Sequence, residues 1–233
     1  QYADFAQWQK GWLKEDVLDQ QLQYWREELS GELPVLQLPM DRPRPAIQTH
    51  HGSIYTLVLP STLHDKLNEL SRKEGATLFM TLLAAYQSFL SRYTGQEDIL
   101  VGSPIANRNY REIEGLIGFF VNTLVYRANL SGRPTFQDVL YQVRQKALKA
   151  YEYQDIPFEK IVEVVQPERS TSHSPIFQTM FILQNMKQEF PVLSSRSIEM
   201  IESHSPIAKF DLSVMAAEPE EGLLFTFEYN KDL

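Results

Sequence analysis

Ile117-Gly118-Phe119-Phe120-Val121-Asn122-Thr123-Leu124-Val125-Tyr126-Arg127 is the most apolar extended run in the sequence, yet an Asn-Thr pair sits in its middle. β-Branched and aromatic residues crowded into so short a run predict a strand buried on both faces. A buried amide without hydrogen-bond partners costs about 1–3 kcal/mol. Asn122 therefore either ties down neighbouring backbone or points into a wet cleft, and the residues alone leave both readings open.

On the C-terminal side of this run, Thr135 and Asp138 form a capping pair. They open an amphipathic helix that places Phe136, Val139, Leu140, Val143, Ala147 and Ala150 on one face. Pro157 suits the first turn of another helix, 158–165. Four strand-like segments follow at 176–184, 197–202, 210–217 and 223–229. On the N-terminal side, a polar loop (107–114) leads back to a buried strand at 98–105. Before that, Thr77 can cap a helix over 78–93 that is apolar nearly all round and that Gly95 closes. Thr62 with Asp65 predicts a capping box for a helix carrying Leu63, Leu67 and Leu70, ended by Gly75. A strand at 53–59 precedes it.

Pro34, Pro39, Pro43 and Pro45 mark an extended surface connector, since proline fixes φ and removes a donor. Two helices open the chain. One carries an aromatic stripe of Phe5, Trp8 and Trp12; the other, with Val17, Leu18, Leu22, Trp25 and Leu29, stops at Ser30-Gly31. Stripes of this kind belong as a rule to core or interdomain packing rather than to a ligand site. Helices alternating with strands, followed by antiparallel-looking strands, predict an α/β two-layer sandwich with a mixed sheet.

Composition narrows the function. A chain of 233 residues, 43% hydrophobic and 22% charged, is long enough to bury a substantial core. A net charge of −8 argues against nucleic acid, which needs a basic face. With no Cys there is neither a disulfide framework nor a thiolate zinc site. The longest helical apolar run is too short to span a bilayer. No charged-then-apolar leader opens the sequence, and a soluble protein of the cytoplasm is expected.

Self-contained chemistry is missing. The sequence has no phosphate-cradling Gly loop, no G-x-S-x-G elbow, no H-E-x-x-H and no dinucleotide fingerprint. His50-His51 is the one eye-catching pair. It follows the proline connector with no further metal-ligand type at suitable spacing, so no metal site is expected. No nucleophile with a base and an orienter can be assembled. Asp155-Ile156-Pro157-Phe158-Glu159 reads either as a helix start, with Asp155 near the cap and Glu159 in the first turn, or as a substrate-facing turn.

Four segments together go beyond composition. Tyr2-Ala3-Asp4-Phe5-Ala6-Gln7-Trp8 resembles the Y-x-D-F-A-x-W motif of condensation domains in nonribosomal peptide synthetases. Residues 117–127 resemble the same family's I-G-x-F-V-N-T-x-x-x-R at every fixed position. Gln154-Asp155-Ile156-Pro157-Phe158-Glu159 is similar to its Q-D-x-P-F-E, with Tyr153 where the family often has His. Arg169-Ser170-Thr171-Ser172-His173-Ser174-Pro175-Ile176 resembles R-D-x-S-R-N-P-L only partly: Ser replaces Asp, and His and Ser replace Arg and Asn.

The resemblance implies a chloramphenicol-acetyltransferase-like half, the C-terminal subdomain of a condensation domain. Residues 1–50 would be connecting helices and a Pro-rich crossover, and 51–233 the acyltransferase-like core. It implies amide-bond formation between acyl groups carried as thioesters on phosphopantetheine arms, with no cofactor bound directly. The implied partners are an N-terminal subdomain in the same chain, upstream and downstream carrier domains and an adenylation domain. The family's catalytic H-H-x-x-x-D-G does not occur in this sequence; His50-His51-Gly52-Ser53 is not followed by the required Asp-Gly. No catalytic residue is therefore expected here. On the resemblance, Gly118, Phe120, Asn122, Thr123 and Arg108 are expected at the tunnel and subdomain interface. Gln154 and Asp155 are expected to face substrate or to be structural. A non-catalytic docking or gating module, or an epimerising or cyclising relative, is the competing reading.

Overall fold

A computed structural model describes residues 1–184, 207–219 and 222–233. Two helices come first, α1 (Tyr2–Trp12) and α2 (Glu15–Glu28). The connector leads into strand β1 (Gly52–Pro60), helices α3 (Ser61–Lys73) and α4 (Leu78–Thr94), and strand β2 (Asp98–Ile105). A short helix, α5 (Arg111–Glu114), interrupts the polar loop before β3 (Asn122–Asn129). Then come α6 (Phe136–Glu152), α7 (Phe158–Val165), β4 (Thr179–Gln184), β5 (Leu212–Ala217) and β6 (Gly222–Asn230). The strand expected at 197–202 lies outside the described residues.

The six described strands form one mixed sheet in the order β1-β6-β5-β4-β2-β3. β4 runs parallel to β2 and to β5, and the other neighbours are antiparallel. Helices α3, α4 and α6 line up across it: α3 packs on β1 and β6, α4 on β2, and α6 on β3. That is the expected two-layer α/β sandwich, and the largest buried side chains fill the space between and around the layers, among them Trp25, Leu83, Leu90, Ile99, Leu124, Leu140, Ile161 and Phe181. The seam between β2 and β4 is thin, with Gly102 opposite Met180. The ring of Phe177 lies directly over Gly102, where any Cβ would overlap it.

Several local expectations are met by named contacts. The Thr77 hydroxyl accepts from the Met80 N–H, and Gly95 ends α4 in the left-handed region at φ 75°. Thr135 and Asp138 cap α6 reciprocally. Others are corrected. The proposed Thr62/Asp65 capping box does not form: α3 starts two residues earlier, with Pro60 rather than Thr62 at its N-cap and no side-chain cap. Pro157 likewise sits at the N-cap of α7 rather than inside its first turn. The Phe5-Trp8-Trp12 stripe is not part of the main core, for no residue of α1 is buried.

The largest correction concerns the deciding run itself. Only its second half is a doubly buried strand, with Leu124, Val125 and Tyr126 enclosed in β3. Residues 117–121 belong to no strand, and Ile117, Phe119 and Val121 are 96%, 77% and 53% exposed. A high density of apolar side chains signals a need for cover, but sequence cannot say where that cover comes from.

Candidate functional site

The residues singled out from sequence, apart from the histidines, gather at one end of the sheet. Asn122 pairs with Ile105 there, where β2 stops and β3 starts. Three segments meet around that point: the 106–121 loop, the turn at 153–157 and the first turns of α1.

Asn122 takes the first of the two readings left open by its sequence. Its Nδ2 donates to the Gln154 and Ile156 carbonyls at 2.9 and 2.8 Å. Its Oδ1 accepts from the Phe158 N–H at 3.0 Å. One amide thus satisfies three backbone groups of the turn that leads into α7, an arrangement that leaves no Nδ2 hydrogen for substrate. Thr123, half-buried, follows in the ladder opposite Pro104.

The turn held in this way carries Gln154 and Asp155. Gln154 Nε2 donates to the Tyr151 carbonyl at 2.7 Å. Asp155 Oδ1 lies 3.5 Å from Asn109 Nδ2. Burial pushes the Asp155 carboxyl above its ordinary pKa, and the Asn109 contact pulls the other way. Asp155 is not the cap of α7, since Pro157 holds that place. At Tyr153, where the related motif often has His, the ring stacks on Tyr24 with centroids 4.5 Å apart, and the carbonyl accepts from Trp25 Nε1 at 2.8 Å. These contacts tie α2 to the same turn.

Arg108 does not reach outward as an exposed surface charge. Its guanidinium lies 4.2 Å from the centroid of the Phe120 ring. Nη1 donates to the carbonyls of Ile113 and Glu114 at the end of α5. Phe120, 3% exposed, is further enclosed by Tyr2, edge-on at 5.1 Å, and Phe5 at 4.8 Å. Gly118 lies under the Tyr2 ring. The Tyr2 hydroxyl donates to the Phe119 carbonyl at 2.8 Å. Trp8 meets Tyr110 edge-on at 5.2 Å and stacks on Trp12 at 5.5 Å. The aromatic stripe of α1 is thus a clamp on the 106–121 loop. Inward-facing Gly118 and Phe120 alternate with the outward Ile117, Phe119 and Val121, so the segment presents an apolar row on a rigid backing.

Sequence reasoning placed Tyr2 and Arg127 in motifs but gave Tyr2 no role at the site and read Arg127 as a strand-end charge. Tyr2 stands three residues before Phe5, so it belongs to the same helical stripe. Arg127 is more than a strand-end charge. It binds Asp98 through Nε at 3.0 Å and Nη2 at 2.7 Å. Nη1 also donates to the Ser30 carbonyl at 2.7 Å and Nη2 to the Glu32 carbonyl at 3.1 Å. Asp98 opposite the end of β3 was a legible partner; the carbonyls near residue 30 were not.

His50 and His51 lie at the start of β1, on the far edge of the sheet from β3. His51 Nδ1 is 2.7 Å from Asp232 Oδ2 and His50 Nδ1 is 3.1 Å from the Ala208 carbonyl. Among the described residues no group of three or more His, Asp or Glu could hold a metal ion. No helix among them is long and apolar enough to cross a membrane. The partly matching segment around Ser170 packs on the proline connector: Thr171 Oγ1 donates to the Ala46 carbonyl, and Gln48 N–H to the Thr171 carbonyl, both at 2.7 Å.

A mixed sheet with one helical layer and a loop-built face at one sheet end defines a two-layer α/β sandwich. The chain belongs to the condensation domain family, whose profile matches residues 1–233. It is 54% identical over 235 residues to one of the linear gramicidin synthase subunits of Brevibacillus parabrevis, and 43% identical over 233 residues to surfactin synthase subunit 1 of Bacillus subtilis (strain 168). Each match takes in the whole chain but only 3% and 6% of those proteins. Among solved structures, the X-domain from teicoplanin biosynthesis superposes with a TM-score of 0.88 at 26% identity, over all of this chain and 55% of that one.

Proposed function

We propose that residues 1–233 are the C-terminal half of a condensation domain in a nonribosomal peptide synthetase. The observation that carries this reading is that the whole chain, matched throughout by the condensation-domain profile, superposes on only 55% of the teicoplanin X-domain chain. A second lobe of similar size would complete the unit and would bring the H-H-x-x-x-D-G motif that this sequence lacks. The exposed row Ile117, Phe119, Val121 would face that lobe and the passage between the two.

In the proposed reaction, two acyl groups arrive as thioesters on the phosphopantetheine arms of carrier domains. The acceptor amine attacks the donor thioester carbonyl, a C–N bond forms and the C–S bond breaks. The proton from the amine passes to the departing thiolate by way of the histidine of the other lobe. This chain's residues do no proton transfer; they orient. Holding two tethered reactants in register supplies several kcal/mol through proximity, and the absent base would add about 10²–10⁴-fold. Asn122 fixes the turn carrying Gln154 and Asp155, and Arg108 with Phe120 fixes the loop bearing the apolar row. The partners are the N-terminal subdomain, the two carrier domains and, through them, an adenylation domain. No cofactor is bound by the lobe itself.

The test is product formation by the intact two-lobed domain between separately loaded donor and acceptor carriers, followed by mass spectrometry of the released thioester. Amide product is expected from the intact domain and none from residues 1–233 alone. Carrier binding without product would overturn the reading in favour of a docking or gating module. That second reading draws on the X-domain likeness, for a solved complex pairs an X-domain with OxyB. The 54% identity to a gramicidin synthase subunit, against 29% to that X-domain, favours condensation.

A further inference from the structure

We propose that Tyr2 is a positioning residue for condensation: it latches the strand-free segment 117–121 so that its apolar row is held at a fixed height over the reaction passage. The proposal rests on the function proposed above.

The segment has little else to hold it. Residues 117–121 pair with no strand among the described residues, and the hydroxyl of Tyr2 on the Phe119 carbonyl, at 2.8 Å, is the one hydrogen bond to them there. Gly118 shows that the latch is built in. Its φ lies outside the left-handed region, so glycine is not required by backbone torsion. It is required by space: a Cβ at 118 would overlap Cδ2, Cγ and Cβ of Tyr2. The same ring then meets Phe120 edge-on at 5.1 Å, with Phe5 and Arg108 closing the other sides. Backbone oxygen, backbone carbon and a buried ring of the segment are all gripped by one side chain.

The grip is local. No residue of α1 is buried, so loosening its first turn leaves the sheet and its helical layer intact. The outward side chains Ile117, Phe119 and Val121 take no part in the latch contacts. What changes is where they stand. A reactant positioned against such a row loses rate, not binding, when the row moves, because misplacement by about 1 Å can cost up to 10²-fold.

The experiment uses the intact domain with loaded carriers and four variants: Tyr2→Phe, Tyr2→Ala, Gly118→Ala and the Tyr2→Ala/Gly118→Ala double. Tyr2→Phe is expected to lower single-turnover amide formation about three- to tenfold, the worth of one hydrogen bond, with carrier Kd and Tm unchanged. Gly118→Ala is expected to fall further, and the double variant to be no slower than Gly118→Ala, because removing the ring makes room for the methyl. A fluorine probe, 4-fluorophenylalanine in place of Phe119, should shift its NMR resonance in Tyr2→Phe. Wild-type turnover in Tyr2→Phe and Tyr2→Ala, additive losses in the double variant, or an unmoved resonance would each overturn the latch. If the wild-type domain forms no amide, the proposed function fails, while the resonance still reports whether Tyr2 sets the position of the segment.

Discussion

Asn122 ties two motifs together through a single side chain. A polar amide in the middle of an apolar run was legible as anomalous, but its partners were not. Gln154, Ile156 and Phe158 lie 32, 34 and 36 residues further along, in another motif. Nothing in either segment alone announces the other. Asn122→Ala would leave two carbonyls and one N–H of the turn unpaired. At about 1–3 kcal/mol for each buried group left unsatisfied, a loss of roughly 3 kcal/mol is expected, checked by urea melts of the intact domain. Arg127→Lys keeps the charge and loses the planar fork to Asp98; about 1.5–3 kcal/mol should disappear, the worth of a hydrogen bond to a charged group. Asp155 gives a pH signature. Burial raises its folded-state pKa, so the folded state holds the proton more tightly than the unfolded one. Its contribution is present below the unfolded pKa of about 3.9 and is lost as pH rises through the raised folded value. Asp155→Asn should therefore melt higher than wild type at pH 7, and the gain should vanish as pH falls towards about 4.

At the scale of elements, legibility followed distance. Caps at Thr77 and Thr135 are encoded within four residues and formed as read. The Thr62/Asp65 pair carries the same pattern and failed, because Pro60 already supplies extended geometry at φ −65°, ψ 151° and starts the helix two residues sooner. The apolar run split at Asn122 for a related reason. Composition cannot tell a strand enclosed by its own sheet from a segment backed on one side and open on the other. The backing itself came from α1, more than a hundred residues away in the chain. A sharp element-level test lies at the β2–β4 seam. Gly102→Ala drives a methyl into the Phe177 ring, and overpacking of this kind costs about 1–3 kcal/mol. Combining it with Phe177→Leu should recover part of that loss, measured as the change in denaturation midpoint.

At the largest scale the described residues form one mixed α/β sandwich with an exposed apolar row at one sheet end. The mixed α/β sandwich was legible from helices alternating with strands, whereas the strand order was not, since it depends on which edges meet in space. Ile117, Phe119 and Val121 add apolar surface next to the aromatic clamp of α1, and contiguous exposed patches mark interfaces. Residues 1–233 are expected to bind a hydrophobic dye, and Ile117→Ser with Phe119→Ser to cut its fluorescence by about half; equal fluorescence would move the patch elsewhere. Strand β1 is paired along its whole length with β6, from Gly52 against Asn230 to Pro60 against Gly222. Roughly 160 residues separate the two, so a ribosome working at about 5–20 residues per second needs roughly 8–30 s to deliver the partner. Throughout that interval a nine-residue strand bearing Ile54, Tyr55, Leu57, Val58 and Leu59 waits unpaired outside the exit tunnel. β6, made after every other described strand, is the one that joins β1 to the rest of the sheet.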